Sequence, residues 1–193
     1  MPLEIEKKYR LTRTQWRALD KRLRELGCQP KPVEFEENTI YCGGRLNLGG
    51  CALRLRRVNG RAILTFKERK PSRSPIKFQQ ETEVIIAEPD AMAAILESLE
   101  FQPAVIYEKR RTRWQIGKAE VVMDELPFGL FMEIEASVKE IKRVEKLIGA
   151  QDLPAVMETY PTLSAKLGKK RKGVMEARFA AAARAVRRGK VAR

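Results

Sequence analysis

Apolar and charged residues alternate with a period of two along most of the chain, the signature of strands with one wet and one dry face. At the start, Glu4, Glu6 and Lys8 share one face, and Leu3, Ile5 and Tyr9 lie on the other. Residues 33–42 read as a second strand, followed by a glycine-rich loop over 43–50. A hairpin follows: one strand over 52–58, a turn at Asn59-Gly60, and a return strand over 61–68. Its faces divide as before, with Arg54, Arg56, Thr65 and Lys67 against Leu53, Leu55, Leu64 and Phe66. Residues 70–74 read as a mobile connection. Four more strands are predicted. Residues 78–87 carry Glu81 and Glu83 opposite Thr82, Val84 and Ile86, and residues 105–116 carry Lys109, Arg111 and Arg113. Residues 119–125 carry Asp124, and residues 130–136 carry Glu133 and Glu135 opposite Met132 and Ile134.

The period changes to that of a helix at three places. Thr12 and Gln15 form a capping box, Leu11 and Trp16 suit a hydrophobic staple, and Trp16, Leu19, Leu23 and Leu26 make the apolar stripe up to Gly27. Pro89 opens a second helix with Met92, Ile95, Leu96 and Leu99 as its stripe. Ser137 and Glu140 form a second capping box, ahead of Val138, Ile141, Val144 and Ile148, with Gly149 as the stop. Residues 153–167 are short and mixed in pattern. An alanine-rich, arginine-studded helix is expected near residues 179–188.

Composition narrows the chemistry. The 193 residues suffice for one domain with a core. No apolar run approaches membrane-spanning length, and the opening residues carry no signal-peptide pattern. The three cysteines lack metal-site spacing, so reduced thiols and a cytoplasmic location are expected. Histidine is absent, which excludes a histidine base, a Ser-His-Asp triad and histidine-ligated zinc. The segment from Lys166 onward holds eleven Lys/Arg and one acid, so it carries +10 of the net +14. The basic character belongs to this tail rather than to the whole domain. The tail reads first as a solvated or disordered extension. Weak, salt-sensitive contact with nucleic acid or an anionic surface is its functional reading.

The charged faces form one constellation. Glu4, Glu6, Glu81, Glu83, Asp124, Glu133 and Glu135 supply acid. Lys8, Arg54, Arg56, Lys67, Lys109, Arg111 and Arg113 supply base. The plain reading is a set of sheets with polar outer faces. Yet both signs recur on nearly every strand, and the helices need the apolar faces. Helices packed outside would turn the charged faces inward, and strands closed into a barrel would enclose a polar tunnel. Arginine and lysine bind phosphate, and carboxylates tolerate phosphate when a hard cation stands between them. Such an interior suits a complex of Mg²⁺ or Mn²⁺ with a polyphosphate.

Glu4-Ile5-Glu6-Lys7-Lys8 resembles the ExExK signature of CYTH domains, the triphosphate tunnel metalloenzymes. Leu53–Arg56, Leu64–Lys67, Glu81–Glu83, Lys109–Arg111 and Phe131–Glu135 are similar to its later motifs, in order. The likeness runs over residues 1–167, leaving 168–193 as a separate basic tail. Details such as Asp124-Glu125-Leu126-Pro127-Phe128-Gly129 look most like the class IV adenylyl cyclase branch. The resemblance implies an α+β fold, a closed antiparallel barrel of roughly eight strands with helices outside. It implies a triphosphate-bearing small molecule and Mg²⁺ or Mn²⁺, two per site. Metal would be bound by Glu4, Glu6, Glu133 and Glu135, with Asp124, Glu81 and Glu83 as further contacts. Phosphate would be bound by Lys8, Arg54, Arg56, Lys67, Lys109 and Arg111, and by Lys166 from the closing helix. Lys67 and Lys109 would be the catalytic lysines, and Tyr160 is as well explained by packing.

The leading expectation is metal-dependent hydrolysis of inorganic tripolyphosphate or of a nucleoside or other organic triphosphate. Conversion of ATP to cyclic AMP and pyrophosphate is the alternative. A non-catalytic polyphosphate- or RNA-binding module is a third. The sequence leaves the oligomeric state open, a homodimer included.

Overall fold

Asn59 and Gly60 both take positive φ, 49° and 74°, which matches a tight turn to the twist of the strands it joins. They connect β3 (Cys51–Val58) to β4 (Arg61–Lys70) in the predicted hairpin. The structure, a computed structural model, describes residues 3–48, 50–71 and 74–180. The other barrel strands are β1 (Leu3–Leu11), β2 (Glu34–Cys42), β5 (Lys77–Ile86), β6 (Gln102–Ile116), β7 (Ala119–Leu126) and β8 (Gly129–Glu135). They run in the order β2-β3-β4-β5-β1-β8-β7-β6, and β6 pairs back onto β2. The result is the expected closed barrel of eight strands, antiparallel at every seam. The glycine-rich loop contains a short 3₁₀ turn, Gly44–Leu48.

Helices cover the outside. α1 (Arg13–Glu25) starts at the complete capping box of Thr12 and Gln15. It buries Leu19 and Leu23 in a cluster with Tyr9, Leu11, Trp114 and Met132. Each such leucine contributes roughly 1.5–3 kcal/mol. α3 (Val138–Ile148) adds Ile141, Val144 and Ile148 to that cluster. Ser137 caps α3, but the Glu140 carboxylate goes to Arg143 instead of back to the cap, so only half of the second capping box forms. Buried Glu145 accepts from Lys7 Nζ and Tyr9 Oη, both at 2.5 Å, and ties α3 to the outer face of β1. That face is the reverse of the one carrying Glu4, Glu6 and Lys8.

α2 (Pro89–Ser98) docks through Met92, Ala93 and Leu96 against Tyr41, Leu55 and Ala62. The predicted stripe is narrower than expected: Ile95 and Leu99 are 52% and 62% exposed. The helix sits on a single flank of the barrel, and no described element covers its other side. For the same reason Val84, on the outer face of β5, is exposed.

The mixed stretch after α3 contains α4 (Tyr160–Leu167), capped by Thr159 and with Pro161 in its first turn. The chain does not leave the domain there as a solvated extension. β9 (Lys169–Arg171) and β10 (Val174–Ala177) form a hairpin, and β10 runs parallel to β6. A Cβ on Gly168 would lie 2.5 Å from the Ser164 carbonyl oxygen and 2.7 Å from that of Glu176, so α4 and β10 meet on a glycine. The helix expected near 179–188 lies outside the described residues beyond Ala180, as do Ser72 and Arg73 of the predicted connection. Among the described residues, no helix is long and apolar enough to cross a membrane.

Candidate active site

Strand alternation turns the charged rows inward, where they line a cavity of about 980 Å³. Among the described residues its lining includes Glu4, Glu6, Glu81, Glu83, Glu133 and Glu135 and the bases Lys8, Arg54, Arg56, Lys67, Arg69, Lys109, Arg111 and Arg113. The signs are sorted by strand. All six of these carboxylates sit on β1, β5 and β8, two on each, and the bases other than Lys8 come from β3, β4 and β6.

Three carboxylates converge. Glu4, Glu6 and Glu135 each place an oxygen within 4.8 Å of the other two. The β1–β8 register sets Glu6 directly opposite Glu135, a pairing of like charges that is unfavourable without a cation. Burial and the charges of Glu133, Glu4 and Glu6 push the Glu135 carboxyl up to about 7, although Arg111 opposes them. Glu6 also meets Lys77 Nζ at 3.1 Å. Glu4 accepts from Lys67 at 2.7 Å and from Gln79 at 3.0 Å. Lys67 reaches Glu81 as well, at 2.8 Å. Burial raises Glu81 to about 8, helped by its hydrogen bond to Glu4. Burial acts on Glu4 in the same sense, but the hydrogen bond with Glu81 and the Lys67 ammonium outweigh it and hold Glu4 at about 2. The two close carboxylates are thus pushed apart, Glu81 upward and Glu4 downward. This all-oxygen donor set, over-supplied with negative charge, fits a hard divalent cation.

The other acids are engaged differently. Arg111 grips Asp124 with two parallel bonds, Nε–Oδ1 at 2.8 Å and Nη2–Oδ2 at 2.5 Å, and donates to Glu133 at 2.7 Å. Glu133 also meets Lys8 at 3.2 Å. Burial would raise the Glu133 carboxyl, but Lys8, Arg111 and Lys109 hold it well below the usual carboxylate range. Glu83 is partly exposed and accepts from Thr65 at 2.7 Å and Arg54 at 3.5 Å. Asp124, Glu133 and Glu83 thus serve as counter-ions of the basic groups in this arrangement.

The basic row centres on a carboxylate that sequence reasoning missed. Glu36 is fully buried, 3.2 Å from Arg56 and 3.3 Å from Lys109, with Arg111 at 3.8 Å. Its Oε1 lacks a hydrogen-bond partner. Asn38 beside it accepts from Arg56 at 3.3 Å. Burial and the neighbouring Arg111 pull the Lys109 ammonium down to about 8, with Asp124 and Glu36 acting against them. Lys8 Nζ sits 3.7 Å from the centre of the Tyr160 ring, so Tyr160 packs on the basic groups.

Lys77 and Gln79 were missed too, although they continue the Glu81–Glu83 parity along β5 and extending the alternation would have found them. Glu36 gave a weaker signal, because it stands beside Glu37 and after Phe35 in a strand whose dry face is not obvious. Lys166 is not brought to the site. It is exposed on α4 and pairs with Glu158 on the surface.

No curated protein matches the chain by sequence. Solved structures do match its fold. PH1012 from Pyrococcus horikoshii OT3 superposes with a TM-score of 0.69 at 21% identity, over 81% of this chain and 96% of that one. A candidate adenylate cyclase from Vibrio parahaemolyticus gives 0.64 at 19%, over 82% and 95%. HpAC1 from Hippeastrum, a candidate adenylyl cyclase with a dominant triphosphatase activity, gives 0.62 at 19%, over 84% and 94%. These likenesses show the fold. The CYTH domain profile matches residues 2–153. With the closed barrel and its charged interior in place, the chain belongs to the CYTH domain family.

Proposed function

We propose that the tunnel binds a triphosphate together with Mg²⁺ or Mn²⁺ and hydrolyses it. The observation that carries this reading is the sorted lining: a convergent carboxylate cluster shares one cavity with a row of buried arginines and lysines. Glu4, Glu6 and Glu135 would hold a cation, with Glu81 and Glu133 beside them. A cation there supplies charge neutralisation on phosphate oxygens and a more acidic water.

The chain's own groups do the rest. Arg54 and Arg56 bind phosphate oxygens through planar, permanently charged guanidinium groups. Arg111, fixed by Asp124 and Glu133, adds charge without needing to move. Lys109 stabilises charge developing on the phosphoryl group while it is protonated. Lys67 spans Glu4 and Glu81 and keeps the acidic cluster in place. In the reaction, water oxygen bonds to the terminal phosphorus and the bridging P–O bond breaks. Orthophosphate and a diphosphate leave, and the proton goes to solvent. The three free cysteines fit a reducing, cytoplasmic setting.

A second reading, cyclisation of ATP, is favoured by one feature. Ile40, Tyr107, Tyr160 and Pro161 add an apolar stretch to the lining, room for an organic group beyond the phosphates. The test is product analysis with tripolyphosphate and, separately, ATP, each with Mg²⁺ or Mn²⁺. Orthophosphate release is expected. Cyclic AMP with pyrophosphate would favour the second reading. Binding without turnover would favour a non-catalytic polyphosphate module.

A further inference from the structure

The basic tail begins with a segment that the tunnel does not use. After β10 the chain crosses the outer surface of the β2–β6 seam, where the barrel closes. At that seam Glu37 on β2 stands directly opposite Glu108 on β6. Two carboxylates opposed across a strand pair repel each other, and Glu108 is 1% exposed. Both are met from the tail. Arg178 Nη1 pairs with Glu37 and lies 3.0 Å from Glu108, while its Nε lies 3.2 Å from Glu176. The backbone N–H of Phe179 donates to the other Glu108 oxygen at 2.9 Å. The Phe179 ring then packs against Phe35 of β2, 6.3 Å between centroids, and takes the Arg110 guanidinium of β6 at 4.2 Å. The Arg178-Phe179 dipeptide therefore touches both strands of the seam through charge, backbone and ring.

Alternation gives this outer contact an inner consequence. Glu37 and Glu108 are the chain neighbours of Glu36 and Lys109, which are opposed at the next register position and face into the tunnel. A shift of either strand at Glu37 or Glu108 is transmitted through one peptide to the Glu36–Lys109 contact of 3.3 Å. We propose that Arg178 is a positioning residue, which locks the β2–β6 seam from outside and so holds Glu36 and Lys109 in register for the anion inside the tunnel. The link to an anion rests on the proposed triphosphate reading, whereas the lock itself does not.

The experiment uses the full chain and three variants: Arg178→Gln, Arg178→Lys, and Arg178→Gln combined with Glu37→Gln and Glu108→Gln. Amide hydrogen exchange is followed on β2 and β6, and tripolyphosphate binding is measured by calorimetry with Mg²⁺ present. Arg178→Gln is expected to speed exchange at the β2–β6 amides and to weaken tripolyphosphate about tenfold. Where turnover is measurable, KM should rise and kcat should fall with it, because Lys109 also stabilises the charge that develops on the phosphoryl group. Arg178→Lys should recover part of both effects. The triple variant should recover most of them, because it removes the repulsion that Arg178 counters. Exchange at the seam unchanged in Arg178→Gln would overturn the lock, whether or not the wild type binds tripolyphosphate. Faster exchange with undiminished affinity in a wild type that binds would overturn the connection to the tunnel. A wild type that fails to bind overturns the triphosphate reading and the anion link with it, and the exchange data still decide the lock.

Discussion

Glu36→Gln probes the electrostatic centre of the tunnel. The carboxylate has no exposure and lies within 3.3 Å of both Arg56 and Lys109. Burial alone would keep it protonated, but Lys109, Arg56 and Arg111 hold its pKa well below the usual carboxylate range. Glutamine keeps the shape and loses the charge. Its amide NH₂ would face guanidinium or ammonium donors with nothing to accept it. Removing one member of a buried ionic cluster costs about 3–5 kcal/mol. A domain of this size loses roughly 2–4 °C of Tm per kcal/mol, so a drop of about 10 °C at pH 7 is expected. The pH dependence has a definite sign. A folded pKa below the unfolded value gives stability that is present above the unfolded pKa, about 4.3, and is lost as pH falls through the folded one. The gap between wild type and Glu36→Gln should therefore narrow below about pH 4. Saturating tripolyphosphate should narrow it at pH 7 as well, since phosphate oxygens replace the missing counter-charge. Thermal melts from pH 3 to 8, with and without tripolyphosphate, measure all three effects. Equal melting temperatures for the two proteins across that range would refute the reasoning.

Three further outcomes are expected. Glu4→Ala and Glu6→Ala should each cut Mg²⁺-dependent turnover by about a hundredfold or more while circular dichroism stays native, and full activity in either would remove the cation from that cluster. Arg56→Ala should raise KM about ten- to hundredfold, the equivalent of one charged hydrogen bond, whereas Lys166→Ala should leave steady-state kinetics unchanged because its ammonium pairs with Glu158 outside the cavity. Tripolyphosphate affinity should fall as pH rises through about 8, where Lys109 loses its proton, and Lys109→Arg should abolish that step in a calorimetric pH series.

The fold was largely legible because its polar interior is written with the same period as its apolar exterior. Glu4, Glu6 and Lys8 alternate with Ile5 and Tyr9, and the structure puts the first set in the tunnel and packs the second under α1 and α3. The hairpin at Asn59-Gly60 and the capping box at Thr12 were legible for local reasons, since each depends on a few adjacent residues. The α4 helix was not, because Tyr160–Leu167 is short and has no sustained stripe. Its boundaries come from the Thr159 cap and from packing against β6 and β10. The β9–β10 hairpin was hidden by composition. Lys169-Lys170-Arg171-Lys172 reads as a solvated run, and it is exposed, yet its backbone still pairs.

The site divides along a different line. Sequence shows which side chains share a face, but not which partner each one finds across the barrel. Seven acids on inward faces look equivalent as a list. The register separates them, bringing Glu4, Glu6 and Glu135 together and giving Asp124 and Glu133 to Arg111. Glu36 shows what that difference means physically. In the sequence it is one of three glutamates in five residues, with Phe35 between two of them. In the barrel β2 lies between β3 and β6, which together turn Arg54, Arg56, Lys109, Arg111 and Arg113 inward, so an acid there is surrounded by their side chains. Its role follows from strand order, a property that no stretch of five residues contains. The same strand order makes β2–β6 the seam at which the chain closes on itself. That seam carries the Glu36–Lys109 contact on its inner face and the Arg178 contacts on its outer face. Residues 168–180, the described part of the segment that sequence set apart as a tail, thus lie where barrel closure and the basic side of the tunnel depend on the same two strands.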